Sequence, residues 1–154
     1  MLSTLHTNDA PSAVTRLLEL GVPSYLIRAT LIGVLAQRLV RTLCPECKAP
    51  MPLPTATWQQ MGVSGAVSAP ATIQKAVGCL ECRQTGYRGR SGVYELMSVG
   101  PALQAVIADK PDLQHVRQIA LNEGMRPLRL AAAEKVAAGL TTIEEVLALT
   151  PDPQ

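Results

Sequence analysis

The chain has 154 residues and is 47% hydrophobic but only 3% aromatic, with no Phe, so its core must be aliphatic and alanine-rich, enough for one ordinary domain or two small units. A net charge of +2 is too balanced to imply an electrostatic grip on nucleic acid or anionic lipid. The most apolar stretch, YLIRATLIGVLAQRLV, is interrupted by Arg28, Gln37 and Arg38 and falls short of the roughly 20 uninterrupted apolar residues that span a bilayer.

Residues 1–15 carry His6, Asn8 and Asp9 where a targeting sequence needs an apolar core, so a cytosolic location is the expectation. LSTLH, at residues 2–6, has the composition of a short strand. TNDAPSAVTRLLELG then reads as an amphipathic helix: Asn8 and Asp9 are candidate N-caps, Pro11 suits the first turn, Ala10, Val14, Leu17 and Leu18 share a face, and Gly21 is the stop. PSYLIRATLIGVLA predicts a second helix, apolar nearly all round and therefore well buried. QRLVRTL alternates as a strand leading into Cys44.

Between Lys48 and Gly78, Pro, Ala, Ser, Thr and Gly dominate, which predicts a poorly specified excursion with a short helix around ATWQQMG. RQTGYRGRSGVYELM is turn-rich and becomes strand-like from Gly92 to Met97. The remainder is helical, in four segments: PALQAVIAD, DLQHVRQIALNEG, MRPLRLAAAEKVAAG and TTIEEVLAL. The last opens on a capping-box pattern, Thr141 with Glu144 or Thr142 with Glu145. No internal repeat is visible.

The cysteines carry the strongest chemical signal. All four fall in two Cys-x-x-Cys pairs, Cys44 with Cys47 and Cys79 with Cys82. Such spacing lets one turn present both sulfurs to a single ion at about 2.3 Å, and two turns complete a tetrahedron with no open position, a structural site suited to Zn(II), with iron as a chemical competitor. The alternatives are disulfides, which a cytosolic chain disfavours, or reduced structural cysteines; the gap between the pairs exceeds the usual ribbon spacing.

Other residues speak more weakly. A lone histidine at a strand end, such as His6, is ordinarily a capping or core residue, and His115 lies on a polar helix face. The basic turn with Arg83, Arg88 and Arg90 has the charge for phosphate, but such turns are commonly plain surface. Trp58, Tyr25, Tyr87 and Tyr94 are too scattered for a nucleic-acid stacking platform. No G-x-x-x-x-G-K-[ST] phosphate loop occurs in the chain.

LSTLHTNDAPSAVTRLLELGV, LIGVLAQRLVRTLCPECKAP, GCLECRQTGYRGRSGVYELM and GLTTIEEVLALT, in this order, resemble the C-terminal portion of the secretion traffic ATPases, the type II secretion ATPases and their type IV pilus assembly relatives. The resemblance is weakest over residues 50–77. It implies an α/β fold: the C-terminal remainder of a RecA-like ATPase core (residues 1–43), a small tetracysteine zinc subdomain (44–88), and a strand followed by an α-helical C-terminal bundle (89–154). STLHTN resembles the family's His box, which would bring His6 to the γ-phosphate region of bound nucleotide with Thr4 and Thr7 as neighbours. Cys44, Cys47, Cys79 and Cys82 match its zinc motif. The parent enzyme would bind ATP and Mg(II), form a homohexamer on the cytoplasmic side of the inner membrane, and meet that membrane through secretion-platform proteins rather than by a span of its own; no nucleic acid is implied.

The family's Walker A loop, Asp box and Walker B motif lie upstream of the His box and do not occur here, so this chain alone is expected not to hydrolyse ATP. Met1 stands where the family usually has another apolar strand residue, and a truncated reading frame, a partial gene or a deliberate fragment is the expectation. Two functions of different class follow: part of a type II secretion motor, with pilus assembly as its close variant, or a non-catalytic zinc-stabilised interaction module. An incomplete RecA-like sheet would expose a strand edge and apolar helix faces, which predicts poor solubility or oligomerisation.

Overall fold

The computed structural model describes residues 1–63 and 65–149. It is a mixed α/β structure with two small two-stranded sheets and several helices. Contacts divide it into two units, each built from two stretches of chain: residues 1–37 with 94–127, and residues 38–93 with the stretch from 128 onward.

In the first unit, helix α1 (Ser12–Glu19) begins as the composition predicts. Asp9 Oδ1 accepts the Ser12 N–H at 2.9 Å, Pro11 occupies the entry turn, and Gly21 follows at φ +86°, where a side chain would be strained. Ala10 and Val14 are fully buried, with Leu17 and Leu18 packed beside them. Helix α2 (Ser24–Thr30) departs from expectation: it stops at Thr30, and within LIGVLA the chain becomes strand from Gly33. Only Ile27 of this helix is buried, while Tyr25 is 61% exposed.

Strand pairing decides that boundary. Strand β1 (Gly33–Leu43) lies beside β4 (Tyr87–Ser98), and a Cβ on Gly33 would sit 3.3 Å from the Met97 carbonyl oxygen. Val99 N–H meets the Ile32 carbonyl at 3.0 Å and Cys44 N–H meets the Gly86 carbonyl at 2.9 Å, so the start of each strand faces the end of the other and the pair is antiparallel. Hydrogen bonds to a real partner outweigh the helical spacing of a short apolar run. The same logic corrects LSTLH. Residues 1–7 form no strand, because extended chain becomes strand only when another backbone pairs with it.

Helices α4 (Pro101–Val106) and α5 (Leu113–Asn122) complete the unit. Asp112 caps α5, accepting from the N–H groups of Gln114 and His115 at 3.0 and 3.3 Å. Leu103, Ile107, Val116 and Ala120 join Ala10, Val14, Ile27 and Met97 in one aliphatic core. Burying such side chains contributes about 1.5–3 kcal/mol for each of the larger ones, so a core without Phe is sufficient.

In the second unit, the excursion after Lys48 is better specified than its composition suggests. Strands β2 (Ala49–Pro52) and β3 (Thr72–Lys75) pair antiparallel, and the predicted helix around Trp58 is α3 (Thr55–Gln60). Trp58, Met61, Val63 and Ile73 are buried. Helices α6 (Leu128–Ala137) and α7 (Ile143–Leu149) supply Leu128, Ala132, Ala133, Val136, Ile143 and Val146 as further buried side chains. Of the two capping frames, Thr142 with Glu145 is used: Thr142 Oγ1 accepts the Glu145 N–H at 3.4 Å. Thr141 instead donates its hydroxyl to the Arg41 carbonyl at 2.8 Å.

Candidate functional site

The four cysteines converge within the second unit. After β1, the chain turns at Cys44–Cys47, with Lys48 N–H returning to the Cys44 carbonyl at 3.0 Å. The second pair sits on a 3-10 turn over Leu80–Cys82, in which the Cys79 and Cys82 sulfurs each accept the other's backbone N–H. Arg83 and Gln84 follow at φ +53° and +63°, two successive left-handed residues without glycine's freedom. They turn the chain so that Gly86 comes back over the cluster.

Sulfur separations are 3.9 Å for Cys44–Cys79, 3.8 Å for Cys47–Cys82 and 3.7 Å for Cys79–Cys82, and all four sulfurs lie within 4.8 Å of one another. A tetrahedron of thiolates about 2.3 Å from a central ion has edges of about 3.8 Å. The spacing fits such an ion and is far from a disulfide's roughly 2.05 Å. All four thiols are free.

Backbone N–H groups point at this sulfur cluster: Gly78 to Cys47 at 3.3 Å, and Cys79 and Gly86 to Cys82 at 3.2 Å each. Burial works to raise the Cys82 thiol, but those two N–H groups and the Cys79 thiol outweigh it and bring it down to about 6. Cys79 also accepts an N–H from Cys82, which works downward; desolvation and the thiols of Cys82, Cys44 and Cys47 prevail and push it up to about 11. Sulfurs at tetrahedral spacing with backbone N–H groups aimed at them form a cluster that favours thiolates, the form that binds a cation. The residues therefore suit a soft tetrahedral ion, and Cys44, Cys47, Cys79 and Cys82 would hold it. Bound there, Zn(II) supplies a cross-link between chain segments and no open coordination position.

Gly78 and Gly86 are functional positions that the sequence reading missed. Gly78 lies at φ +112° and a Cβ there would stand 2.9 Å from the Gln84 carbonyl oxygen; Gly86 lies at φ +78° and its Cβ would stand 2.6 Å from that of Ala76. Glycine's only sequence signal was adjacency to a cysteine turn. Beside the cluster, Tyr87 joins its hydroxyl to Thr142 Oγ1 at 3.0 Å and takes the Arg41 guanidinium 4.1 Å above its ring centre. Arg41 in turn pairs with Glu145 through Nε at 2.9 Å and Nη2 at 2.5 Å, while its backbone N–H reaches the other oxygen at 3.1 Å. The Arg41 hydrogen bond holds the Glu145 carboxyl below its ordinary value.

In the first unit, His6 and Thr4 are exposed on the irregular opening segment, and Thr7 donates its hydroxyl to the Asp9 carbonyl at 3.1 Å. His115 is exposed, as are Arg83, Arg88 and Arg90; Arg88 meets Glu81 at 3.6 Å across the surface. Trp58 is buried and so is removed from any stacking role.

The sequence model of the family described as "Type II/IV secretion system protein" matches residues 1–148. The chain belongs to this family. It is 48% identical over 151 residues to the type IV pilus assembly ATPase TfpB of Acinetobacter baylyi, covering 98% of this chain and 26% of that protein. It is 44% identical over 150 residues to type II secretion system protein E of Pseudomonas aeruginosa, covering 97% of this chain and 29% of that one. Against the type IV pilus assembly ATPase PilB of Thermus thermophilus it is 42% identical, covering 97% of this chain and 17% of the relative. The chain thus spans less than a third of the length of these curated relatives. Among its described residues no helix is long and apolar enough to cross a membrane.

Proposed function

We propose that this chain acts as part of a secretion-system ATPase that couples ATP hydrolysis to assembly of a pseudopilus in type II secretion. The observation that carries the reading is similarity along nearly the whole chain, at 40–48%, to proteins named type II secretion and type IV pilus ATPases. The 48% identity to a pilus assembly ATPase favours pilus assembly as the second reading. On this proposal residues 1–43 belong to a RecA-like core, residues 44–88 form a zinc subdomain and residues 89–154 form the C-terminal strand and helices. His6, with Thr4 and Thr7 beside it, faces the γ-phosphate side of the nucleotide. The side chains are of the right type: an imidazole and two hydroxyls can exchange hydrogen bonds with a phosphate oxygen and register its loss.

Cys44, Cys47, Cys79 and Cys82 hold a structural Zn(II) on this reading. The working assembly is a homohexamer on the cytoplasmic face of the inner membrane, reached through platform proteins. ATP and Mg(II) belong to that assembly, because the 154 residues contain no phosphate-binding loop with its Lys and Ser/Thr. The deciding experiment is ATP turnover by the purified chain, and by a chimera in which it replaces the matching part of the Acinetobacter ATPase. The proposal expects no turnover from the chain alone and activity in the chimera that His6→Ala reduces by at least about tenfold. Turnover by the chain alone, or a chimera indifferent to His6→Ala, would contradict it. A chain that binds the assembled ATPase without restoring activity would favour the zinc-stabilised interaction module.

A further inference from the structure

Two buried carboxylates in the first unit have no part in the metal centre. Asp9 is 4% exposed and Glu95 is 2% exposed. Both grip the backbone that follows His6. Glu95 Oε1 accepts the Ala10 N–H at 2.8 Å, and Asp9 Oδ1 accepts the Ser12 N–H at 2.9 Å. The other Asp9 oxygen pairs with Nη2 of Arg117, on α5, 108 residues away in sequence. Ala10, Val116 and Ala120 lie in the same core, so α5 is packed into the unit that this pair spans.

A buried carboxylate stripped of its cation is strongly disfavoured, so Asp9 is held where Arg117 stands. The N-terminal end of α1 favours negative charge, which suits Asp9 where it accepts the Ser12 N–H. Upstream, residues 1–6 are exposed and form no regular element. Among the described residues, the turn that follows His6 is held by a helix and a strand remote in sequence.

We propose that Arg117 and Glu95 are positioning residues for the His6 segment, Arg117 acting through Asp9 and Glu95 through the Ala10 amide. The inference rests on the assignment of His6 to the nucleotide site. It makes α5 a lever on that site: a shift of α5 moves Asp9, and with it the turn that follows His6. A merely structural ion pair would stabilise the whole first unit without favouring this turn.

Amide hydrogen exchange on the 154-residue chain and turnover of the Acinetobacter chimera test it together. Arg117→Gln is expected to speed exchange at Ala10 and Ser12 by about tenfold while core amides such as Val116 and Leu103 change less than about twofold. Asp9→Asn should reproduce that pattern, and the double variant should add little to either single change. In the chimera, Arg117→Gln should lower kcat about tenfold or more with KM for ATP within about twofold, and Arg117→Lys should recover most of the loss. Unchanged exchange at Ala10 and Ser12, or a uniform rise through the unit, overturns the proposal. A chimera slowed by His6→Ala but not by Arg117→Gln overturns it while leaving the role of His6 intact; one indifferent to His6→Ala overturns the nucleotide-site assignment itself.

Discussion

Gly86 closes over Cys82: its N–H donates to the Cys82 sulfur at 3.2 Å, while its own carbonyl accepts the Cys44 N–H at 2.9 Å. One residue thereby ties the two cysteine turns together and shares in stabilising a thiolate. Its left-handed backbone, and the 2.6 Å at which an added Cβ would meet that of Ala76, leave no room for a side chain.

Gly86→Ala is therefore expected to destabilise the second unit by about 2 kcal/mol or more, combining backbone strain with a clash against a neighbouring chain segment. It should also weaken metal retention. Chemical denaturation and a competing chelator measure the two effects. Gly89→Ala is the control, since at φ +84° it is strained but meets nothing within 4 Å, and it should leave the metal in place.

Removing one ligand should be harsher. Cys44→Ser is expected to release the ion, lower the melting temperature by at least about 10 °C, and open residues 44–82 to protease, because binding free energy at such a site is also folding free energy. Limited proteolysis with mass mapping locates the cuts. Unchanged cutting in that stretch would show that no ion pins it.

The Arg41–Glu145 pair makes stability depend on pH in a defined direction. Glu145 titrates lower folded than its ordinary 4.5, mainly through the Arg41 hydrogen bond, so its contribution is complete above that value and fades as pH falls through the lower, folded value. Arg41 is about half-exposed, which limits the effect to about 0.5–1 kcal/mol. Melting curves from pH 6 to pH 3 should show Glu145→Gln losing stability at pH 6 and converging on the parent at the acid end.

How much of this was legible beforehand depends on the range of the interactions. Helices α1 and α3–α7 are local products of periodicity, capping and punctuation, and Asp9, Asp112 and Thr142 cap where such residues do. The cysteine pairs were legible because metal ligation demands a fixed short spacing. Strand β1 was misjudged at its start, since Gly33 turns extended only against Met97, 64 positions away by number. LSTLH was misread for the complementary reason, strand composition with no paired strand among the described residues. The grip of Glu95 and Arg117 on the turn after His6 has no signature in any window of sequence.

Exposed apolar side chains give a further expectation. Tyr94 and Leu96, two residues apart on β4 and so on one face, are 50% and 58% exposed, and Leu35 of β1 is 60% exposed. The isolated chain should self-associate through such positions. Light scattering against concentration should show Leu96→Lys shifting the chain toward monomer, with little change in melting temperature.

The most direct test of the account is the zinc content of the purified chain, measured by elemental analysis after exhaustive dialysis, beside the same measurement on Cys44→Ser. The four-sulfur geometry predicts one zinc per chain, lost on substitution. A folded parent chain that holds no zinc, or holds it equally well without Cys44, would contradict the metal centre on which the second unit is argued to depend.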